Sequence, residues 1–244
     1  MNFEAFKQKT LDIFAKNKSL PTPTDDQIEK LFKLTEIMLE VNKSMNLTAI
    51  TEESAVILKH YADSVSISSY IPEGAKVIDI GCGAGFPTLP LAIFRQDIEI
   101  LGLDSTAKRI EYVKATANKL GLRNVSAIAA RAEELANKPE YREKFDVATA
   151  RAVAALPILS EICIPFVKPG GKFVAMKASQ GSAEAHLAQN AIKLCGGEIV
   201  SEDIIGLTSD GESFEKRVII EVVKRDPTPS KYPRHYSQIS KKPL

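Results

Sequence analysis

Three glycines on alternate positions follow a short apolar run in the first third of the chain. They are Gly81, Gly83 and Gly85, and the run before them, residues 77–80, predicts a buried strand. Glycines in such a loop let the backbone turn tightly and approach a ligand without interference from a Cβ atom. The GxGxG spacing differs from the GxGxxG of dinucleotide-binding folds, in which a pyrophosphate meets a helix N-terminus. The loop therefore favours a nucleotide-like ligand that lacks phosphate.

An acidic residue follows the next apolar run at a distance that suits the same ligand. Asp104 comes directly after residues 98–103, about 20 residues beyond the loop, where doubly wound folds place the carboxylate that binds both ribose hydroxyls. Loop and acid together indicate an adenosine. Asp104 could instead cap the helix that begins near Thr106, since aspartate is a favoured N-cap, or Ser105 or Thr106 could supply that cap.

The elements that would position these residues alternate between strands and helices. β-branched runs predict five strands, at residues 76–80, 98–103, 125–129, 145–149 and 172–176. Helical spacing predicts helices near residues 87–94, 106–120, 131–137, 156–167 and 182–195. Such alternation predicts βαβ units and a parallel sheet. Residues 198–205 and 217–223 form a final strand pair joined by a Ser-Asp-Gly-Glu turn, which predicts an antiparallel hairpin at the edge of the sheet.

The first 70 residues show helical periodicity only. Thr24 and Gln27 have the spacing of a capping box, and apolar residues then recur at three- and four-residue intervals, at Ile28, Leu31, Leu34, Met38, Val41 and Met45. This stripe indicates a core-facing helix. We therefore expect an α/β, doubly wound, mostly parallel Rossmann-like sheet in residues 71–224, an N-terminal helical extension in residues 1–70 and a basic tail in residues 225–244.

Composition excludes several classes of protein. With 244 residues, 44% hydrophobic and 26% charged, the chain has ordinary globular values. Its apolar runs are too short to span a bilayer, and its N-terminus lacks the apolar stretch of a signal peptide. Its three cysteines are widely spaced without a CxxC pair, so neither a disulfide framework nor a zinc site is indicated. We expect a cytoplasmic protein without a membrane association or a metal.

Motifs along nearly the whole chain resemble one family, the glucose-inhibited division protein B family. The motifs, in chain order, are Asn-Leu-Thr at 46–48, Lys-His at 59–60 with Asp-Ser at 63–64, residues 79–93 with Gly-Phe-Pro at 85–87, Arg-Ala-Glu at 131–133, Phe-Asp at 145–146, Ala-Arg-Ala at 150–152 and Tyr-Pro-Arg at 232–234. Two positions depart from the family pattern: Thr88 stands where glycine is expected, and Lys59 where arginine is commoner. The resemblance implies a methyltransferase that uses S-adenosylmethionine to methylate guanine N7 in small-subunit ribosomal RNA.

The resemblance also implies which residues surround the cofactor. Together with the loop glycines Gly81, Gly83 and Gly85, they are Phe86, Asp104, Ser105, Thr106, Ala132, Glu133 and Arg151. The positions after the third and fourth strands agree with this, because ligands bind at the carboxyl ends of parallel strands. Three of these residues have a structural alternative. Glu133 could be a surface acid in the first turn of a helix, Arg151 a partner in a buried ion pair, and Phe86 a core aromatic.

Methylation at guanine N7 needs no general base, because that nitrogen carries a lone pair and no proton. His60 and Asp63, whose spacing lets two side chains meet on a helix, resemble an acid/base pair. We favour a structural or domain-interface role for both, and positioning of the substrate, together with Arg151, is the alternative.

RNA recognition needs cations for phosphate and planar groups for stacking. The candidates are Lys108, Arg109, Arg131, Lys177, Tyr232 and Arg234, with Arg151 and His235 beside them. Each cation could equally be a solvated surface charge. From residue 224 to the end there are six Lys and Arg against one acid. Because prolines disfavour regular structure there, this tail could be a mobile flank or an ordered arm that grips RNA away from the glycine loop.

Two other functions remain open from the residues alone. One is a methyltransferase that acts on a protein or a small metabolite, and the other is a non-catalytic nucleotide-binding module, which the GxGxG spacing disfavours. The expected partner is small-subunit ribosomal RNA or the small ribosomal subunit, and the chain is expected to act as a monomer.

Overall fold

A seven-stranded sheet forms the centre of the computed structural model, which describes residues 2–244. Its strands are β1 (Lys76–Ile80), β2 (Glu99–Asp104), β3 (Val125–Ala129), β4 (Phe145–Arg151), β5 (Val167–Lys177), β6 (Gly197–Leu207) and β7 (Glu215–Lys224). The strand order is β3-β2-β1-β4-β5-β7-β6. Strands β1 to β5 pair in parallel, and β7 is antiparallel to both β5 and β6. The predicted parallel sheet with an antiparallel hairpin at its edge is confirmed.

Helices cover both faces of this sheet. In chain order they are α1 (Phe3–Lys16), α2 (Asp25–Met45), α3 (Glu53–Val56), a π-helix (Ile57–Ala62), α4 (Asp63–Val65), α5 (Thr88–Phe94), α6 (Ala107–Lys119), α7 (Ala132–Leu135), α8 (Leu156–Cys163), α9 (Gly181–Leu194) and α10 (Tyr236–Lys241). The helix predicted for residues 156–167 ends early, because a 3-10 turn at Ile164–Phe166 leads into β5, which begins at Val167.

The N-terminal helices share a core with the sheet. The capping box at the start of α2 is formed, with Gln27 N–H 3.3 Å from Thr24 Oγ1 and Thr24 N–H 2.9 Å from Gln27 Oε1. The first four residues of the predicted α2 stripe are fully buried, and the last two are half-buried. One hydrophobic cluster contains Phe6, Leu31, Val77 and Ile93. The extension therefore packs directly on the layer that supports the glycine loop.

The last 20 residues pack on the opposite face of the sheet. Tyr232 and Ile239 are buried in the second hydrophobic cluster. Arg142 donates hydrogen bonds to the carbonyls of Thr228 and Tyr232, at 2.7 and 3.0 Å. Interpretation of this segment as a mobile flank is therefore wrong, because buried apolar side chains and main-chain hydrogen bonds tie it to the sheet.

Among residues 2–244, no helix is both long enough and apolar enough to cross a membrane.

Candidate active site

A cavity of about 280 Å³ opens at the carboxyl ends of β1 to β4. This is the edge where the strand order reverses between β1 and β4, and where doubly wound folds bind ligands. The cavity is lined by Ile80, Gly81, Leu103, Asp104, Ser105, Arg109, Ala130, Arg131, Ala132, Glu133, Ala152, Val153, Ile162 and Tyr236. Five of the ten residues predicted to surround the cofactor belong to this lining: Gly81, Asp104, Ser105, Ala132 and Glu133.

Gly81 lines the cavity and has no side chain that would fill it. Its φ angle is +74°, and a Cβ atom there would lie 2.5 Å from Cγ2 of Val153. A side chain at this position would be strained and would displace the valine that lines the cavity. The N–H groups of Gly81 and Cys82 both bond to the carbonyl of Leu103, at 2.7 and 3.0 Å. The loop is thereby held against the end of β2.

Asp104 holds the loop and the next helix at the same time. One carboxylate oxygen accepts a hydrogen bond from Gly83 N–H at 3.1 Å, and the other accepts from Thr106 N–H at 2.8 Å. Helix α6 begins with Thr106 as N-cap, whose own side chain makes no capping bond. Each carboxylate oxygen keeps a further lone pair, and Asp104 lines the cavity. Capping and ligand binding are therefore compatible at this residue.

Glu133 is the second carboxylate of the cavity. It lies in the first turn of α7 and is only 6% exposed, so the surface-acid interpretation is wrong. Among the described residues, no donor bonds to its carboxylate oxygens, which leaves both free for a ligand. Two buried carboxylates and an open glycine loop suit a ligand that carries ribose hydroxyls and amino groups, as adenosine does.

The other five predicted cofactor residues lie behind or beside the cavity. Gly83 and Thr106 meet Asp104 through their backbones. Gly85 packs closely on Leu89, and a Cβ there would lie 2.6 Å from that side chain. Phe86 is a buried core aromatic, 6% exposed, and Arg151 faces a neighbouring cavity. Contact of these five residues with the cofactor stays a prediction.

The neighbouring cavity, which we call the acceptor cavity, has a volume of about 540 Å³. It is lined by Ile50, Lys59, His60, Asp63, Arg151, Ala152, Met176, Lys177, Ala178, Glu184, Glu215 and Arg217. Ala152 lines both cavities and has a φ angle of +55°. A single residue in a conformation that is rare for alanine therefore stands between them.

A chain of ion pairs forms the wall of the acceptor cavity. Asp63 accepts from Arg151 Nη1 at 2.7 Å and from Arg217 Nε at 2.9 Å. Glu215 in turn pairs with Arg217 at 2.9 Å and with Lys59 at 2.7 Å. Arg151 also donates to the carbonyl of Lys59 at 2.8 Å. The ion-pair interpretation of Arg151 is confirmed, and its place in the cavity wall leaves a positioning role open.

The π-helix at Ile57–Ala62 brings His60 into the same wall. π-helices are rare and occur frequently at functional sites. His60 Nε2 lies 2.9 Å from Thr48 Oγ1, and its ring stacks on Phe86 with centroids 4.3 Å apart. Burial, and then the charge of Arg151, lower the pKa of His60 to about 3. His60 is therefore neutral near pH 7, and no hydrogen bond joins it to Asp63 in the described part of the chain.

Asp79 at the end of β1 is a buried group that the sequence analysis did not single out. Its Oδ2 accepts hydrogen bonds from the hydroxyl of Thr88 at 2.6 Å and from Thr88 N–H at 3.3 Å. Its Oδ1 is buried without a partner among the described residues. Burial raises the pKa of Asp79 to about 6, against the lowering effect of Thr88. Thr88, the departure from the family pattern, therefore has a local role as a partner of this acid.

The predicted RNA contacts divide into two groups. Lys108, Arg109 and Arg131 are exposed at or near the mouth of the first cavity. Lys177 is instead paired with Glu184 at 2.7 Å and bonded to the carbonyl of Ala154, so it belongs to the wall of the acceptor cavity.

The two tail residues predicted to contact RNA serve to hold the tail. Tyr232 is buried and cannot stack on a base in this conformation. Arg234 binds Glu161, which is fully buried, at 2.6 Å. The expectation that the tail lies away from the glycine loop is wrong, because Tyr236 lines the same cavity as Gly81.

Two solved structures share this architecture. The chain matches M. jannaschii TYW2 in complex with AdoMet with a TM-score of 0.54 at 15% identity, over 68% of this chain and 75% of that one. It matches a SAM-dependent methyltransferase from Aquifex aeolicus with a TM-score of 0.51 at 17% identity, over 70% and 94%. The likeness to these two structures shows a Rossmann-like fold.

Sequence relatives identify the family to which the chain belongs. A family model described as GidB, rRNA small subunit methyltransferase G, matches residues 27–206. Ribosomal RNA small subunit methyltransferase G of Lactobacillus delbrueckii subsp. bulgaricus is 42% identical over the full length of both chains. The protein of that name from Alkaliphilus oremlandii is 44% identical, over 91% of this chain and 92% of its own. The chain belongs to the GidB family, whose members use S-adenosylmethionine.

Proposed function

We propose that this protein methylates N7 of a guanine in small-subunit ribosomal RNA. The observation that carries the proposal is the match to the family from residue 27 to residue 206, which includes most of the residues that line the two cavities. S-adenosylmethionine supplies the methyl group when bound. Three buried free cysteines agree with action in a reducing cytoplasm, and we propose that the protein acts there as a monomer on ribosomal RNA or on the small subunit.

Cofactor binding is assigned to the first cavity. Asp104 offers charged oxygens for ribose hydroxyls, and Glu133 offers an unpaired buried carboxylate for an amino group. Gly81 leaves room for close approach of the ligand to the backbone. Lys108, Arg109 and Arg131 lie exposed around or beside the mouth, where they are placed to meet RNA phosphates.

The acceptor cavity is the proposed site of the guanine base. It adjoins the cofactor cavity at Ala152, so a base held there would lie next to the donor, and proximity of this kind supplies much of the rate acceleration. Its wall carries four cations, Lys59, Arg151, Lys177 and Arg217, against three carboxylates, Asp63, Glu184 and Glu215, so one positive charge remains to favour a nucleotide.

The groups in this wall also agree with an acceptor that loses no proton. Asp63, Glu184 and Glu215 are all engaged by the cations of the wall. The pKa of Glu215 is lowered, because its hydrogen bonds from Lys59 and Arg217 outweigh burial, which acts in the opposite direction. His60 is a weak base, with a pKa of about 3. Guanine N7 needs no base, whereas an exocyclic amine or a hydroxyl would have to release a proton.

A direct assay combines purified protein, isotope-labelled S-adenosylmethionine and two substrates, intact small subunits and protein-free small-subunit RNA. After digestion to nucleosides, label in 7-methylguanosine is expected from at least one substrate. Label in a different nucleoside, or in a ribosomal protein, would overturn the guanine-N7 assignment. A reaction without the protein serves as the control for background transfer.

A further inference from the structure

The C-terminal segment brings an aromatic ring into the cofactor cavity. Tyr236, the first residue of α10, lines that cavity together with Asp104 and Glu133. Its side chain is half-buried. The guanidinium carbon of Arg131 lies 5.5 Å from the centre of the Tyr236 ring. A planar aromatic group and a planar cation therefore stand together at the edge of the cavity.

The chain on either side of Tyr236 is firmly held. Arg234 places Nε and Nη2 at 2.8 and 2.6 Å from the two carboxylate oxygens of buried Glu161, and its N–H group bonds to the same carboxylate at 2.9 Å. On the other side, Ile239 is fully buried in the second cluster. Because these anchors flank it by two and three residues, the ring has a defined place in the folded protein.

We propose that Tyr236 is a cofactor-binding residue whose ring contacts the adenosine part of S-adenosylmethionine. The side of the cavity that it closes is formed by Asp104 at the end of β2 and by residues 130–133 after β3. In doubly wound folds the acid after the second strand binds ribose, so the adenosine belongs on this side. Aromatic rings stack on any base through its π-face, and the Tyr236 ring, with Arg131 over one face, lines this side of the cavity.

This inference rests on the methyl-donor part of the proposed function and not on the ribosomal RNA target. It also gives the tail a different role from the one its charge suggests. Of the cations from residue 224 onward, Lys224, Arg225 and Arg234 are engaged in ion pairs with Glu143, Glu198 and Glu161. The segment is thus fastened to the protein and contributes its tyrosine to the cavity.

The test measures ligand binding by calorimetry without RNA, for the wild type and for Tyr236→Ala and Tyr236→Phe. The ligands are S-adenosylhomocysteine and 5′-methylthioadenosine, which share the adenosine and differ in the amino-acid end. We expect Tyr236→Ala to raise the Kd of both ligands about tenfold, equivalent to about 1.4 kcal/mol. Tyr236→Phe keeps the ring and should stay within about twofold of the wild type.

Phe214→Ala is the matched control, because Phe214 is an aromatic residue that is 61% exposed on the β6–β7 hairpin and does not line the cavity. Its affinities should equal those of the wild type. Thermal unfolding without ligand checks that Tyr236→Ala is folded. Wild-type affinity in Tyr236→Ala would overturn the inference, as would weakening of S-adenosylhomocysteine alone. Failure of the wild type to bind either ligand would instead overturn the proposed function.

Discussion

The guanidinium of Arg151 lies against the carboxylate of Asp63, with Nη1 2.7 Å from Oδ2. The other carboxylate oxygen binds Arg217, so one acid from the N-terminal helices holds the end of β4 and the strand β7 together. The side chains of Asp63, Arg151 and Arg217 are 7%, 15% and 19% exposed. Removing one member of such a buried group leaves its partners as unpaired buried charges.

Asp63→Asn should therefore destabilise the protein by about 3 kcal/mol. The reason is that Arg151 loses its only carboxylate partner and Arg217 keeps only Glu215, while both side chains stay largely shielded from water. Urea unfolding at pH 7.5 measures the change. Lys43→Ala is the control, since Lys43 and Glu40 form a pair in which both side chains are 72% exposed, and its effect should stay below about 0.5 kcal/mol. Equal stabilities of the two variants would show that the Asp63 network contributes nothing.

The anchor of the tail gives a second prediction. Arg234→Ala leaves Glu161 fully buried without its cation, so a loss of about 3 kcal/mol in unfolding free energy is expected. Adding Glu161→Gln to that variant should recover part of the loss, because the unpaired charge is gone. Arg225→Ala removes a mostly exposed partner of Glu198 and serves as the control. No recovery in the double variant would mean that packing, and not charge, holds the tail.

Asp104→Asn should weaken binding of S-adenosylmethionine by at least about tenfold, because charge-assisted hydrogen bonds typically contribute about 1.5–3 kcal/mol. Asparagine keeps an oxygen that can accept one of the two backbone N–H groups, so the loop should remain folded. Calorimetry gives the Kd. Asp97→Asn, at a carboxylate bound to Arg95 outside the cavity, should leave the Kd unchanged. A folded Asp104→Asn protein with wild-type affinity would restrict Asp104 to its structural bonds.

The buried acid Asp79 predicts a particular dependence of stability on pH. Its folded pKa is about 6, whereas an aspartate in an unfolded chain titrates near about 3.9. Between these values the folded protein keeps a proton that the unfolded chain has released. Asp79 therefore contributes stability that is fully present below about pH 4 and is lost as the pH rises through about 6, with an upper bound of about 3 kcal/mol.

His60 acts in the opposite direction, since its folded pKa of about 3 lies below its unfolded value of about 6.5. Its contribution is present above about pH 6.5 and is lost as the pH falls toward about 3. The contribution of Asp79 to the pH dependence of stability is therefore measured as the difference between the wild type and Asp79→Asn. Urea unfolding at pH 4.5 and pH 7.5 should show that Asp79→Asn, relative to the wild type, gains stability at the higher pH. Identical pH dependence in both proteins would contradict the buried-acid assignment.

Local patterns predicted the elements of the fold well. The capping box of Thr24 and Gln27 and the apolar stripe of α2 are found as their spacing indicates. As the sequence predicted, β1 ends directly before the glycine loop and β2 ends at Asp104. Such features depend on residues close in sequence, so a pattern can report them.

The corrected predictions depend on contacts between distant residues. Glu161 and Arg142 determine where the tail lies, but they are 73 and 90 residues from Arg234 and Tyr232, their partners there. Composition alone therefore allowed a mobile flank where the folded chain has an anchored segment. Similarly, no local spacing rule indicated the widened turn of the π-helix around His60.

The most direct test of the central claim is strand scission of small-subunit ribosomal RNA with borohydride and aniline. Methylation at N7 leaves the guanine ring positively charged and therefore open to reduction and cleavage at that nucleotide. RNA from cells that contain the protein should be cut at one additional guanine, and RNA from cells that lack it should not. Restoring the wild-type protein should restore the cut. Identical cleavage patterns with and without the protein would contradict the assignment of guanine N7 as its target.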